Sequence, residues 1–471
     1  MQSQTNMGLF SNGRARLLIS GSFALLVLLA ATYWGGAATP GPLLYAGVAL
    51  LVGVIVAFAV LTWWLFFSAL PARRSRPYEA RSTPLLRQTL TVLVAVCGGL
   101  FAVGGFWDEL WHRQYGVPFG EDFWWRPHQL IYGSLALGAL FALGGLWFVL
   151  RGGGDLRRRF RAEPGIALLA LVSAYLMFSV PIDPLWHEIY GVDITAWSLP
   201  HIMLALGFLL VMLVAVGLQL SLVKPGGWRG LRGMTLQEAL ALLPIAWGYL
   251  IFTQIATAEW EGLRTIGRDM GVQGFWSRPE WLYPVVIIMV GVFIGAFSLH
   301  ALRRVGMATL LGALVLGLRL LMIGAWDGAA VGLSAQSHLL TALLLVAMDV
   351  VYALRLRRVE DAAAPLFASL GAAAAMFTLG FLFISQTMVY PRITSETVPG
   401  MVVFGIGMAL AAGSAGAAMG GWVGGLNRDA ALEAAEAGRA TRQALRTGLA
   451  LLIAVVSFVV WFALTAEPPV L

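Results

Sequence analysis

The chain predicts an all-α fold, a polytopic integral membrane bundle of about 13 transmembrane helices, and three observations carry that expectation. Of its 471 residues, 59% are hydrophobic and only 12% are charged, with a mean hydropathy of +0.80. A soluble domain carries roughly a quarter charged residues, so a water-soluble globule is excluded. Apolar runs of about 20 residues recur from end to end, each long enough as a helix to cross about 30 Å of hydrocarbon. The roughly ten-residue alternation of a membrane barrel is missing.

In chain order the runs fall at 16–35, 43–69, 88–107, 128–150, 165–182, 201–223, 237–257, 280–301, 305–326, 336–354, 364–385, 399–421 and 446–465. The first follows Arg14 and Arg16 and precedes Gly35-Gly36-Ala37-Ala38, a signal-peptide pattern. A retained helix is expected, because polytopic proteins commonly keep their first span. The remaining runs alternate with two kinds of loop. With the N-terminus in the cytoplasm, 24 basic residues fall on that side, from Arg14 through Arg73, Arg151, Lys224, Arg303 and Arg355 to Arg446. The other side receives six, namely Arg113, Arg126, Arg264, Arg268, Arg278 and Arg392. The positive-inside rule then predicts a multi-pass plasma-membrane protein with a cytoplasmic N-terminus and an extracytoplasmic C-terminus. Residues 427–446, alanine-rich with both charge signs, predict a short solvated helix on the cytoplasmic side.

The pI of 9.8 comes almost wholly from arginine in these loops. They lack the aromatic interleaving of single-strand binders, and no Walker A sequence occurs, so no nucleic-acid partner and no phosphate loop are expected. The single cysteine, Cys97, lies inside an apolar run. That excludes an internal disulfide, a CxxC pair and a thiolate cage, so any metal must use nitrogen and oxygen ligands. The 16 methionines form no M-x-x-M cluster, which argues against a copper pump. The 55 glycines are read as permitting close helix contact in lipid.

The non-basic loops contain a repeat. Asp108-Glu109-Leu110-Trp111-His112-Arg113-Gln114-Tyr115-Gly116-Val117 matches Asp183-Pro184-Leu185-Trp186-His187-Glu188-Ile189-Tyr190-Gly191-Val192 at seven of ten positions. Each copy then reaches a Pro-His pair, Pro127-His128 and Pro200-His201, that opens the next span, and proline suits a first helical turn. A degenerate third copy runs from Phe275-Trp276-Ser277-Arg278-Pro279 to Glu280, and a faint fourth from Trp326-Asp327 to His338. All copies run out and back in the same sense, giving helical hairpins in parallel orientation. The chain divides accordingly into residues 1–87, a two-helix start; 88–234, the duplicated hairpins; 235–358, the degenerate hairpins; and 359–471, a three-helix end.

Asp108 and His112 are four residues apart, as are Asp183 and His187. If each helix end continues through them, carboxylate and imidazole lie one turn apart on one face. The returning helix brings a second histidine. Two imidazoles and one carboxylate suit copper, zinc or non-haem iron and leave coordination positions open. Four of the six histidines, His112, His128, His187 and His201, belong to this pattern. The alternative readings are a haem held by two histidines, or a structural loop in which each Asp–His pair is a helix-end hydrogen bond.

The pattern resembles the C subunit of particulate methane monooxygenase and ammonia monooxygenase. In that family a membrane helix end carries an aspartate, a Trp-His or similar pair four residues on, an extracytoplasmic loop, and a second histidine beside proline with an aromatic after it. Here Asp108, Trp111-His112, Asp122-Phe123, Pro127-His128 and Tyr132 look like that series, and the second copy offers Asp183, Trp186-His187 and Pro200-His201. The resemblance implies copper at Asp108, His112 and His128 and at Asp183, His187 and His201, and an oxygen-activating subunit acting on an apolar small molecule. It spans about 25 residues per copy, with longer loops between the histidines, in a chain with many more spans and no soluble cupredoxin-like domain. A non-catalytic metal- or haem-handling membrane protein and a scaffold subunit docking other membrane subunits remain open.

Two charges stand well inside apolar runs, Arg319 and Asp349. An unpaired charge there costs at least about 2.5–3.5 kcal/mol, so the two are expected to pair with each other. Glu259, Glu261 and Glu280 are expected to be solvated or paired with loop arginines, and His300 is expected at a helix end near the headgroups.

Overall fold

The computed structural model describes residues 18–23, 42–68, 82–115, 124–151, 155–190, 196–224, 226–261, 279–326, 335–354, 363–383, 394–426 and 434–467. Among these the chain is built from helices, with no strand. Twelve helical segments are long and apolar enough to cross a membrane, at the twelve later positions that the runs predict. The first expected span, 16–35, lies outside the described residues except for a helical piece at 18–23.

The helices are α1 (Pro42–Phe66), α2 (Pro84–Tyr115), α3 (Arg126–Leu150), α4 (Leu156–Ala162), α5 (Pro164–Ser179), α6 (Ile182–Tyr190), α7 (Leu199–Leu220) and α8 (Leu236–Leu240). They continue with α9 (Leu242–Glu261), α10 (Leu282–Leu302), α11 (Met307–Trp326), α12 (Gln336–Leu354), α13 (Ala364–Ala375), α14 (Thr397–Val423) and α15 (Ala434–Leu464). α2, α3, α5 and α7 pack as one cluster of two adjacent hairpins, and α9 lies against both α2 and α7. α10 is the most deeply enclosed span, and α1 and α15 are the most open to lipid.

In lipid no hydrophobic force draws helices together, so shape decides which ones touch. α10 and α14 make the closest pair. A Cβ added to Gly416 or Gly420 of α14 would collide with the backbone oxygen of Phe293 or Phe297 of α10, so only glycine lets the two backbones approach this far.

Two expectations change. Arg319 and Asp349 do not pair. Arg319 binds Glu109 of α2, with Nη1 donating to Oε2 at 2.7 Å and Nη2 to Oε1 at 3.0 Å. Asp349 of α12 instead accepts the backbone N–H groups of Gly306 at 2.7 Å and Thr309 at 2.6 Å, where the start of α11 exposes unpaired donors. The short helix expected within 427–446 is the first part of α15, continuous with the last span from Ala434. His300 stands at the end of α10 as expected, and its Nε2 meets the Tyr352 hydroxyl at 2.7 Å.

Candidate metal centre

The two duplicated hairpins place their motif residues at one end of the bundle. α2 runs unbroken through Asp108 and His112, so both project from one face a turn apart. α3 begins after Trp125 with Arg126 and Pro127, and His128 follows at once. A proline in this turn costs nothing, since the N–H that it lacks would have had no helical acceptor. His128 Nε2 thereby reaches 2.9 Å, and His112 Nε2 3.4 Å, from the same atom, Asp108 Oδ1.

The second copy is assembled differently. α5 stops at Ser179, and the short helix α6 carries Asp183 and His187 four residues apart. α7 begins after Ser198, whose side chain accepts the backbone N–H of His201. His201 Nε2 lies 3.2 Å and His187 Nε2 4.0 Å from Asp183 Oδ1.

In each triad one donor atom from every residue lies within 4.8 Å of the other two. An ion with bonds of about 2.0–2.1 Å holds tetrahedral donors about 3.3 Å apart, and the four Asp–His separations straddle that spacing. The carboxylates discriminate between a hydrogen-bonded helix end and a cation site. Oδ1 of Asp108 and Oδ1 of Asp183 are buried, and the two imidazole nitrogens that crowd each one do so without the alignment of an N–H···O hydrogen bond. A buried acceptor without a donor costs about 1–3 kcal/mol, a cost that a cation at the common point removes. Either triad can therefore hold a metal ion.

The surroundings differ. Around the first triad, the Trp125 ring lies 5.2 Å from the His112 ring, and Trp111 meets Trp125 edge-on at 5.7 Å. Trp107 continues the cluster to Phe462 of α15, over which the Arg126 guanidinium sits at 4.6 Å. His112 Nδ1 is buried with no hydrogen-bond partner, so ring packing sets that imidazole's orientation. Around the second triad, Tyr132 of α3 donates its hydroxyl to Asp183 Oδ2 at 3.1 Å. Tyr132 stands one turn beyond His128, with their rings 5.8 Å apart, so one helix face serves both triads. Trp197, just before α7, donates Nε1 to the backbone oxygens of Ile255 and Ala256 of α9 and anchors the start of that helix.

The degenerate copies gather no comparable group among the described residues. Glu280 precedes α10, while the side chains of Glu259 and Glu261, residues 275–278 and Asp327 lie outside the described residues, as do Asp122 and Phe123. His338 sits in the first turn of α12, fully buried. The chain matches no family model, no curated protein and no solved structure.

Residue types and spacing picked out all six triad side chains, and the family resemblance pointed to Tyr132. They did not assign Trp125, whose role depends on a ring packing across the hairpin mouth. Nor did they assign Glu109, though a usable signal existed: a lone arginine inside an apolar run must have an acid at its depth, and Glu109 is an acid at a span's end.

Proposed function

We propose that this chain is a membrane copper protein with two Asp/His/His sites, one formed by Asp108, His112 and His128 and the other by Asp183, His187 and His201. The observation that supports the reading is the convergence of each acid and its two imidazoles on one point, with no imidazole N–H aligned on the carboxylate oxygen at that point. Nitrogen and oxygen donors with open positions suit copper, zinc or non-haem iron, and the resemblance to the monooxygenase C subunit favours copper. Copper so held supplies oxygen activation. The chain's own part is to hold the donors and to keep water from one side of the first site with Trp107, Trp111, Trp125 and Phe462. The same aromatic wall suits a small apolar substrate arriving through lipid. The arginine-rich loops orient both sites away from the cytoplasm.

Metal analysis of protein purified without chelator tests the reading. About two equivalents of copper are expected, and their loss in His112→Ala combined with His187→Ala. Less than about half an equivalent of copper, zinc or iron, unchanged by those substitutions, overturns it. Bound copper with no oxygen consumption on any apolar substrate would leave a metal-handling protein and remove the oxygenase reading. A Soret band would replace copper with haem.

A further inference from the structure

Arg319 is 1% exposed in the interior of α11, and a buried arginine in a membrane span marks a task. An apolar side chain would brace two helices without the desolvation cost that an ion pair carries. What the guanidinium adds is a rigid, directional fork. Here the fork closes on both oxygens of Glu109 at 2.7 and 3.0 Å, and the guanidinium lies 4.4 Å over the Phe106 ring. From α9, Gln254 Nε2 donates to Glu109 Oε2 at 3.0 Å and to the backbone oxygen of Gly105 at 3.1 Å. All three grips fall on residues 105, 106 and 109 of α2, the turn that carries Asp108 and directly precedes His112.

The corresponding positions of the second copy are Val180, Pro181 and Pro184, none with a side chain that could receive such a clamp. Its acid is steadied instead by the Tyr132 hydroxyl.

We infer that Arg319 is a positioning residue for the first Asp/His/His site alone, acting through Glu109 to fix the last turns of α2 against α9 and α11. The inference rests on the metal reading of the triads. Groups that orient ligands from outside typically change metal affinity by 10–100-fold, which sets the expected size of the effect.

The test uses full-length protein in detergent, with Cu(II) as the probe, in two backgrounds. His187→Ala with His201→Ala isolates the first site; His112→Ala with His128→Ala isolates the second. Into each go Glu109→Gln with Arg319→Met together, so that no charge is stranded, and separately Arg319→Lys, which keeps the charge but not the fork. With the first site isolated, the paired substitution should weaken Cu(II) binding at least about tenfold and shift the Cu(II) hyperfine pattern in electron paramagnetic resonance. Arg319→Lys should weaken it by a smaller factor. With the second site isolated, both should leave affinity and spectrum unchanged. An unchanged first site, or equal losses at both sites, overturns the inference while leaving the metal reading intact. If the paired variant does not assemble, Arg319→Lys decides by the same criterion. A parent protein that binds neither copper, zinc nor iron overturns the metal reading and this inference with it.

Discussion

The two triads reach similar donor arrangements on different backbones. In the first, a single helix of 32 residues, α2, carries acid and histidine together, and an ion pair and an amide from α11 and α9 hold its end. In the second, the span breaks after Ser179, and Asp183 and His187 ride on a nine-residue helix, α6, between Pro181 and the start of α7. A long helix locates its end from a distance, because every turn is tied to the last, and so needs bracing only where it projects. A short helix supplies little order of its own and depends on whatever its side chains touch. The first site accordingly leans on the far half of the bundle, and the second on the neighbouring hairpin through Tyr132. The Asp–His separations are 2.9 and 3.4 Å in the first site and 3.2 and 4.0 Å in the second.

Removal of either acid should have the largest effect and should act on one site only. Asp108→Ala and Asp183→Ala are each expected to lower bound copper from about two equivalents to about one, as read by metal analysis, with affinity at the altered site falling more than about 100-fold, beyond what outer contacts usually command. If either substitution empties both sites, the two triads share one ion and the comparison fails.

Tyr132→Phe should come next. It removes the hydrogen bond to Asp183 and is expected to weaken Cu(II) binding at the second site about tenfold, with the first site unchanged in the isolated backgrounds described above. Trp125→Leu should do the converse, because it frees the His112 ring; a loss of several-fold confined to the first site is expected, with a changed Cu(II) spectrum there. Equal losses at both sites after either substitution would mean that the hairpins are not separately supported.

Acid should empty both sites, since only neutral imidazole binds a metal ion and protons compete for the same nitrogens. Occupancy is expected to fall as the solution is made acidic, and metal retained in strong acid would contradict sites held by these histidines. The smallest difference is kinetic. His201 is 31% exposed and His128 only 15%, so a chelator should strip the second site a few-fold faster than the first, measured by stopped-flow with each site isolated.

Most of the bundle was legible from hydropathy because a membrane leaves the backbone little choice: every buried N–H and C=O must be satisfied within its own segment, so an apolar run of bilayer length becomes a helix. The six ligand candidates were legible because a four-residue spacing has a fixed meaning on a helix. Partnerships were less so. Arg319 and Asp349 have compatible depths on neighbouring spans, yet Arg319 joins Glu109 some 210 positions away in sequence, and Asp349 caps the start of α11. Depth along the membrane is written in the sequence, but azimuth around the bundle is not.

Local order determined, from the sequence alone, that α2 would carry an acid and an imidazole on one face and that proline-histidine pairs would open α3 and α7. Only the tertiary structure decided that each returning histidine meets the acid of its own hairpin, that Tyr132 of one copy serves the acid of the other, and that Arg319 clamps Glu109 at the end of α2. The reason is one of range: helical periodicity relates residues a turn apart, whereas contacts between helices depend on which small residues let which backbones approach, as Gly416 and Gly420 do for α10 and α14.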